Sequence, residues 1–164
     1  MKLIYREVQQ FRQIWIWLLM VLVAGISWYG FLQQIVFGNP FGNRPAPDVA
    51  MWIIWIAFGF GLPLFIYSVK LIVEVRENGI LIRFFPLHSR FISFDNLDNY
   101  EVRKYHPIRE YGGWGIRWGS KGWAYNVSGN KGVQLELTNG KRIMIGSQNP
   151  EKLAEMIRKA KGES

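Results

Sequence analysis

One stretch of the sequence, residues 106–132, is rich in the residue types that are common in contact surfaces between molecules. It contains seven glycines and three tryptophans, interspersed with arginine and lysine. Indole rings bury large areas in contact surfaces, and flanking basic groups add charge attraction. Six side chains of this stretch are therefore candidates for contact with a partner or with lipid: Arg109, Trp114, Arg117, Trp118, Lys121 and Trp123. The alternative is that the aromatic face packs on the core of its own domain or on a membrane surface.

The same stretch and its surroundings offer little for catalysis. The chain has no cysteine, which excludes thiolate chemistry and cysteine-ligated metals. His88 and His106 are the only histidines, and neither has a second ligand at a metal-binding spacing. Ser120 and Lys121 are adjacent, and adjacent residues of a strand point to opposite faces, which disfavours a serine–lysine dyad. We therefore expect no enzyme activity, no cofactor and no metal ion.

Two uncharged segments precede this region, and both are long enough to cross a bilayer. Residues 14–32 contain 16 apolar residues of 19, and residues 49–69 contain 17 of 21. At about 1.5 Å per residue each segment is roughly 30 Å long, the thickness of the hydrocarbon core. The sequence therefore predicts five parts: an N-terminal segment (1–12), a first transmembrane helix (13–37), a loop (38–48), a second transmembrane helix (49–69) and a C-terminal domain (70–164).

The charges beside these segments predict their orientation. Residues 1–12 have three basic side chains and one acidic side chain, and the residues after the second segment are also basic. The loop 38–48 has one arginine and one aspartate. The positive-inside rule then predicts a multi-pass protein of the cell membrane with both termini in the cytoplasm.

A pair of small residues, Ala57 and Gly61, lies four residues apart in the second apolar segment. Such pairs allow helices to approach closely. The pair either packs the two helices of one chain together or joins the helices of two copies, and the sequence leaves both open.

Residues 70–164 show the alternation of apolar and polar residues that is typical of strands. Asn78-Gly79 and Asn139-Gly140 predict two tight hairpin turns. Further strands are expected at 90–94, 99–105, 114–118 and 123–127. Asn149 and Pro150 suit the N-cap and the first position of a C-terminal amphipathic helix. About seven antiparallel strands followed by one helix indicate a small barrel or bent sandwich that the helix closes.

Four segments of this domain carry a resemblance to a known family: VEVRENGILIRFFPLH (73–88), EYGGWGIRWG (110–119), AYNVSGNKGVQLEL (124–137) and IGSQNPEKLAEMI (145–157). They resemble bacterial and archaeal membrane proteins with a pleckstrin-homology-like (PH-like) domain, a family of unknown function. The resemblance implies a two-helix transmembrane hairpin followed by a mainly-β PH-like domain. It also implies an interaction or scaffold module, often self-associating, rather than an enzyme. Phosphoinositide-binding relatives have a K/R-x-R motif in the second strand, where this sequence has only Arg83.

These observations predict a non-enzymatic membrane protein that presents an interaction or scaffold domain at the cytoplasmic surface. Its expected partners are the bilayer and either a second copy or another membrane protein. Residues 70–164 have a net charge of +6, which fits attraction to anionic lipid headgroups and equally the positive-inside bias alone. Acidic residues interspersed with the basic ones argue against nucleic-acid binding. The alternative functions are an accessory subunit of a transporter or membrane enzyme and a peripheral sensor of anionic lipid.

Overall fold

The structure, a computed structural model, describes residues 2–162 and falls into two units. Phe11–Ser68 form a helical unit. The residues before Phe11 and those from Val69 onward together form a β-domain. The helical unit is therefore inserted into the β-domain sequence, between its first and its second strand.

The helical unit contains two long helices. The first is α1 (Ile14–Phe31) with a π-helical end (Leu32–Val36), and the second consists of α2 (Asp48–Ile54), a π-helical segment (Trp55–Gly61) and α3 (Leu62–Ser68). Ile14–Val36 and Asp48–Ser68 are 23 and 21 residues long, and both are apolar enough to cross a membrane. The predicted positions of the two apolar helices are thus confirmed.

Aromatic side chains hold the two helices together. The rings of Phe31 and Trp55 stack with centroids 4.1 Å apart, and Trp28 meets Trp55 edge-on at 5.0 Å. A Cβ atom on Gly59 would lie 3.2 Å from the Trp55 ring and 3.3 Å from Nε1 of Trp28. Gly59, which the sequence analysis did not single out, is thus the glycine that admits this aromatic cluster.

We expect Gly59→Leu to loosen the helix pair, whereas Gly25→Leu leaves it intact. Gly25 has no atom within 4 Å of its Cβ position. Both substitutions gain the same helix propensity, so their difference isolates the contact with the indoles. The overpacked variant should lose about 1–3 kcal/mol of unfolding free energy relative to Gly25→Leu. Unfolding in mixed micelles with increasing SDS measures this, and equal stabilities would contradict the packing described.

The described part of the β-domain consists of two sheets, two α-helices and one 3₁₀ turn (Phe94–Asn96). Its strands are β1 (Leu3–Gln10), β2 (Lys70–Arg76), β3 (Gly79–Phe85), β4 (His88–Ser93), β5 (Leu97–Lys104), β6 (Gly115–Gly119), β7 (Gly122–Asn126), β8 (Lys131–Leu137) and β9 (Arg142–Gly146). The helices are α4 (Pro107–Tyr111) and α5 (Pro150–Lys161). The first sheet has the order β1-β2-β3-β4 and the second has the order β5-β8-β9-β7-β6. The structure thus confirms a mostly-β domain that ends in a helix.

The core lies between the two sheets and under α5. Side chains of β2, β3, β8 and β9 that are completely buried form it: Leu71, Val73, Val75, Ile80, Ile82, Val133, Leu135, Ile143 and Ile145. Leu153 and Ile157 of α5 are equally buried, and α5 contacts strands of both sheets. Asn149 caps this helix as predicted, since its Oδ1 accepts a hydrogen bond from the backbone N–H of Lys152 at 3.2 Å.

Two details of the strand predictions are wrong. The first hairpin turn consists of Glu77 and Asn78, one residue earlier than expected, because Arg76 pairs with Gly79. In addition, the strands are not all antiparallel, since β7 and β9 pair in parallel. The hairpin of β8 and β9 inserts β9 beside β7, an arrangement that local sequence patterns do not reveal.

The N-terminal segment, predicted as a separate part of the chain, belongs to the first sheet. Leu3–Gln10 pair antiparallel with β2. The Glu7 carboxylate accepts hydrogen bonds from the Ser147 hydroxyl and the Gln148 backbone N–H, both at 2.7 Å. Gln9 is buried and donates from Nε2 to the Gly146 carbonyl at 2.7 Å. These contacts attach β1 to the end of β9 in the second sheet.

We expect Glu7→Ala to destabilise the β-domain, because it leaves the Ser147 hydroxyl and the Gln148 N–H without this acceptor. Hydrogen bonds to a charged group contribute about 1.5–3 kcal/mol, so a loss of about 2 kcal/mol is expected. Glu101→Ala is the matched control, since Glu101 is an exposed strand glutamate without a side-chain hydrogen bond among residues 2–162. Chemical unfolding monitored by tryptophan fluorescence measures both variants. If the two behave alike, the Glu7 contacts do not hold β1 in place.

Candidate partner-binding groove

The β6–β7 hairpin presents a face of aromatic and apolar side chains. Trp118 pairs across the strands with Trp123, and Ile116 pairs with Tyr125, so all four side chains share one face. Along this face the exposure changes steeply. Tyr125 is 2% exposed, whereas Trp123 is 40% and Trp118 is 73% exposed. One end of the face is therefore part of the core, and the other leaves two indoles in solvent.

A groove separates this face from β4, the edge strand of the first sheet. His88 and Arg90 of β4 line one side, and Ile116, Trp123 and Tyr125 line the other. The groove has a volume of about 450 Å³. The His88 ring lies parallel to the Tyr125 ring at 5.9 Å and closes one part of the groove.

Arg90 and Trp123 also border a second depression of about 590 Å³. Its charged and aromatic lining is completed by Trp118 and Lys121 of the hairpin, Lys141 of the β8–β9 connection and Arg142 at the start of β9. We call the two depressions together the aromatic-basic groove, with Arg90, Trp118, Lys121, Trp123, Lys141 and Arg142 as its defining residues. None of the residues that line it is acidic.

The four basic residues of the groove differ in how far they are neutralised. Arg142 Nε lies 2.7 Å from the Glu136 carboxylate, and Lys121 Nζ lies 3.7 Å from the Glu110 carboxylate. Arg90 and Lys141 form no ion pair within residues 2–162. Arg90 and Lys141 therefore carry the charge that is available to an acidic partner.

The carboxylate of Glu110 ties α4 to the hairpin. It accepts hydrogen bonds from the backbone N–H of His106 at 2.9 Å and from Arg103, and it faces Lys121. Burial acts to raise the pKa of Glu110, but the hydrogen bonds from His106 and Arg103 outweigh it and hold the pKa below its usual value. The carboxylate stays ionised and fixes Lys121 at the rim of the groove.

Two glycines let the hairpin turn approach its neighbours. A Cβ atom on Gly119 would lie 2.1 Å from the Glu110 carbonyl oxygen. On Gly122, where φ is +100°, a Cβ atom would lie 2.2 Å from the Arg142 carbonyl oxygen. Only glycine fits at both positions, and this close packing fixes the turn between α4 and β9.

The six residues predicted to contact a partner fall into two groups. Trp118, Lys121 and Trp123 line the groove. Arg109 is exposed on α4, Trp114 donates from Nε1 to the Gly129 carbonyl at 3.1 Å, and Arg117 donates from Nε to the Trp114 carbonyl at 3.0 Å. This second group does not line the groove. Arg117 is next to Trp118 in the strand and therefore points to the opposite face.

Three of the six defining residues were not predicted as contact residues from the sequence: Arg90, Lys141 and Arg142. They lie on β4, in the β8–β9 connection and at the start of β9, outside the stretch 106–132. The tertiary fold brings them beside the tryptophans. Within residues 2–162, no three His, Asp or Glu side chains form a group that could hold a metal ion.

Comparison with known families gives one match that covers almost the entire chain. The model of one family, DUF6141, matches residues 1–163. The chain belongs to DUF6141, a family of unknown function. The match confirms the expectation of a family whose function is unknown, and it treats the helical unit and the β-domain of this DUF6141 member as parts of one family sequence. No curated protein matches the chain.

A buried hydrogen-bond network supports the base of the hairpin. Asn126 donates from Nδ2 to the Tyr105 hydroxyl at 3.0 Å, and its Oδ1 accepts from the Gly115 N–H at 3.0 Å. Both Asn126 and Tyr105 are completely buried. Burial raises the pKa of Tyr105 to about 12. The hydroxyl therefore stays protonated in the folded domain at a pH where an unfolded tyrosine ionises.

Stability should consequently fall as the pH rises from about 10, the unfolded pKa of tyrosine, to about 12, and it should be unaffected by Tyr105 below pH 10. Two units of pKa correspond to about 2–3 kcal/mol. Tyr105→Phe should be less stable than the native protein at neutral pH and should lose less stability between pH 10 and pH 12. Denaturant unfolding at a series of pH values measures this. Parallel pH profiles for the two proteins would contradict the assignment to Tyr105.

Proposed function

We propose that this DUF6141 member is a non-enzymatic integral membrane protein whose PH-like β-domain binds a partner protein through the aromatic-basic groove. The observation that carries the proposal is the pair of exposed indoles, Trp118 and Trp123, beside Arg90, which forms no ion pair within residues 2–162. The domain acts at the cytoplasmic surface of the cell membrane, since basic residues flank the two helices on the side of the β-domain.

Exposed apolar side chains along both helices support the membrane assignment. Leu18, Val21 and Leu22 of α1 are 65%, 69% and 58% exposed. In the second helix Ile53 and Leu64 are 63% and 64% exposed. The core helix of a soluble protein buries such residues, whereas a bilayer solvates them. Their exposure along helices of this length therefore favours a transmembrane hairpin.

The element order of the β-domain supports the PH-like assignment. The domain has two small sheets, and a C-terminal amphipathic helix contacts strands of both. This is the arrangement that the sequence resemblance implies. The groove lies between β4 and β6, the edge strands of the two sheets.

The charge of the groove indicates the kind of partner. Two copies that met groove to groove would place Arg90 and Lys141 of both copies in one interface, and like charges in one interface repel. A surface with exposed apolar and acidic side chains complements the groove. Another membrane protein therefore fits it better than symmetric self-association, and the protein would act as an accessory subunit or scaffold.

Photo-crosslinking in native membranes tests this proposal. Trp118 is replaced by the photoreactive p-benzoylphenylalanine, and Ile108 is replaced in a control. Ile108 is 68% exposed on α4 and does not line the groove. We expect position 118 to give a recurrent adduct with one other membrane protein and position 108 to give none. Adducts only with lipid, only with a second copy, or equal yields at both positions would overturn the proposal.

Charge reversal at the groove should remove that adduct. In the position-118 protein, Arg90→Glu and Lys141→Glu together should reduce the yield at least tenfold, because they repel an acidic partner. Lys131→Glu and Lys104→Glu provide a matched double reversal at exposed lysines outside the groove. In a direct binding assay with the identified partner, Trp118→Ala should weaken affinity by about 2 kcal/mol or more, as at other central tryptophans of interfaces.

A further inference from the structure

Both chain connections to the helical unit leave the first sheet at the same end. Gln10, the last residue of β1, pairs with Lys70, the first residue of β2. Lys70 in turn pairs with Phe85, the last residue of β3. Paired residues of adjacent strands have Cα atoms about 5 Å apart. The β3–β4 turn (Phe85–Leu87) therefore lies at the end of the sheet from which the chain enters the helices.

The β3–β4 turn is apolar and exposed. Phe85 is 49% exposed and Leu87 is 57% exposed, with Pro86 between them. The backbone N–H of Leu87 donates to the Phe84 carbonyl at 2.8 Å, which keeps the turn tight and its two apolar side chains at the tip. Two exposed apolar side chains on one tight turn form a small apolar surface that a membrane or a partner can cover.

The opposite end of the same sheet has a different composition. The turn between β2 and β3 consists of Glu77 and Asn78, both exposed. From Asn78 to Phe94 the sequence has no acidic residue, whereas Arg83 and Arg90 are basic. The sheet thus has an apolar turn beside Lys70 and Arg83 at the end where the helices attach, and a polar turn next to Arg76 at the far end.

We propose that the β3–β4 turn is a membrane-contacting element. Phe85 and Leu87 insert among the lipid headgroups, and Lys70 and Arg83 bind anionic headgroups beside them. An apolar tip flanked by basic side chains is the combination that binds anionic bilayer surfaces. The polarity difference between the two ends of the sheet, together with the attachment of both helices at the apolar end, favours a bilayer over a protein as the occupant. This inference rests on the membrane assignment proposed above and is independent of the partner groove.

The absence of cysteine allows a direct test with spin labels in the full chain. Single substitutions Leu87→Cys, Asn78→Cys and Leu22→Cys are labelled, and the protein is reconstituted alone in nanodiscs that contain phosphatidylglycerol. Oxygen, which partitions into lipid, and a water-soluble nickel complex then compete as relaxation agents. We expect the oxygen-to-nickel accessibility ratio at position 87 to be several-fold higher than at position 78. Pure phosphatidylcholine discs, or the added substitutions Lys70→Gln and Arg83→Gln, should lower the ratio at 87.

Each other outcome has a defined meaning. A label at 87 that is as accessible to nickel as the label at 78 overturns the proposal. Low accessibility to both agents at 87 indicates a protein contact and overturns it as well. The label at Leu22, an exposed residue of α1, distinguishes failure of the turn proposal from failure of the membrane assignment. A lipid-exposed label at 22 with an aqueous label at 87 refutes only the turn, whereas aqueous labels at both refute the membrane assignment itself.

Discussion

The pairing of β1 with β2 is the constraint on which the rest of this structure depends. The chain leaves the first sheet after Gln10, forms the entire helical unit and returns at Lys70 to pair with the strand it left. Closing such a long excursion costs conformational entropy, although the cost grows only slowly with length. Contacts of Glu7 and Gln9 with residues 146–148 of the second sheet offset it. The first sheet of the β-domain thus needs both the strand that precedes the helical unit and the strand that follows it.

Many of the helices and strands could be predicted from the sequence, because residues close together in the chain determine them. Helix length and apolar composition predicted the two long helices, and alternation predicted the strands after residue 70. Asn149 indicated the start of α5. β1 was not predicted, because its apolar and polar residues lie on the faces opposite to those of a core strand. Ile4 and Val8 face solvent, whereas Glu7 and Gln9 face the protein. A strand that contributes polar contacts to the interior does not resemble a core strand in a sequence.

Only half of the defining residues of the groove were predicted, because the other half come from outside residues 106–132. Composition drew attention to 106–132, and strand parity already separates Arg117 from Trp118. Nothing in that stretch indicates that Arg90 of β4, or Lys141 and Arg142 after the Asn139-Gly140 turn, lie beside the tryptophans. That proximity results from the insertion of β9 between β8 and β7 and from the position of β4 beside the β6–β7 hairpin. Short-range signals identify candidate side chains, but their assembly into a site is a property of the topology.

The insertion of the helices between two paired strands also constrains how the protein is made. Strands that share hydrogen bonds must be in the same compartment, so helices that cross a bilayer between β1 and β2 must cross it an even number of times. β1 leaves the ribosome first and has no partner until both helices have been synthesised. During that interval its backbone donors and acceptors are unpaired and Ile4 and Val8 are exposed. Until Lys70–Arg76 have been synthesised, β1 is therefore an unpaired strand that can pair with another chain.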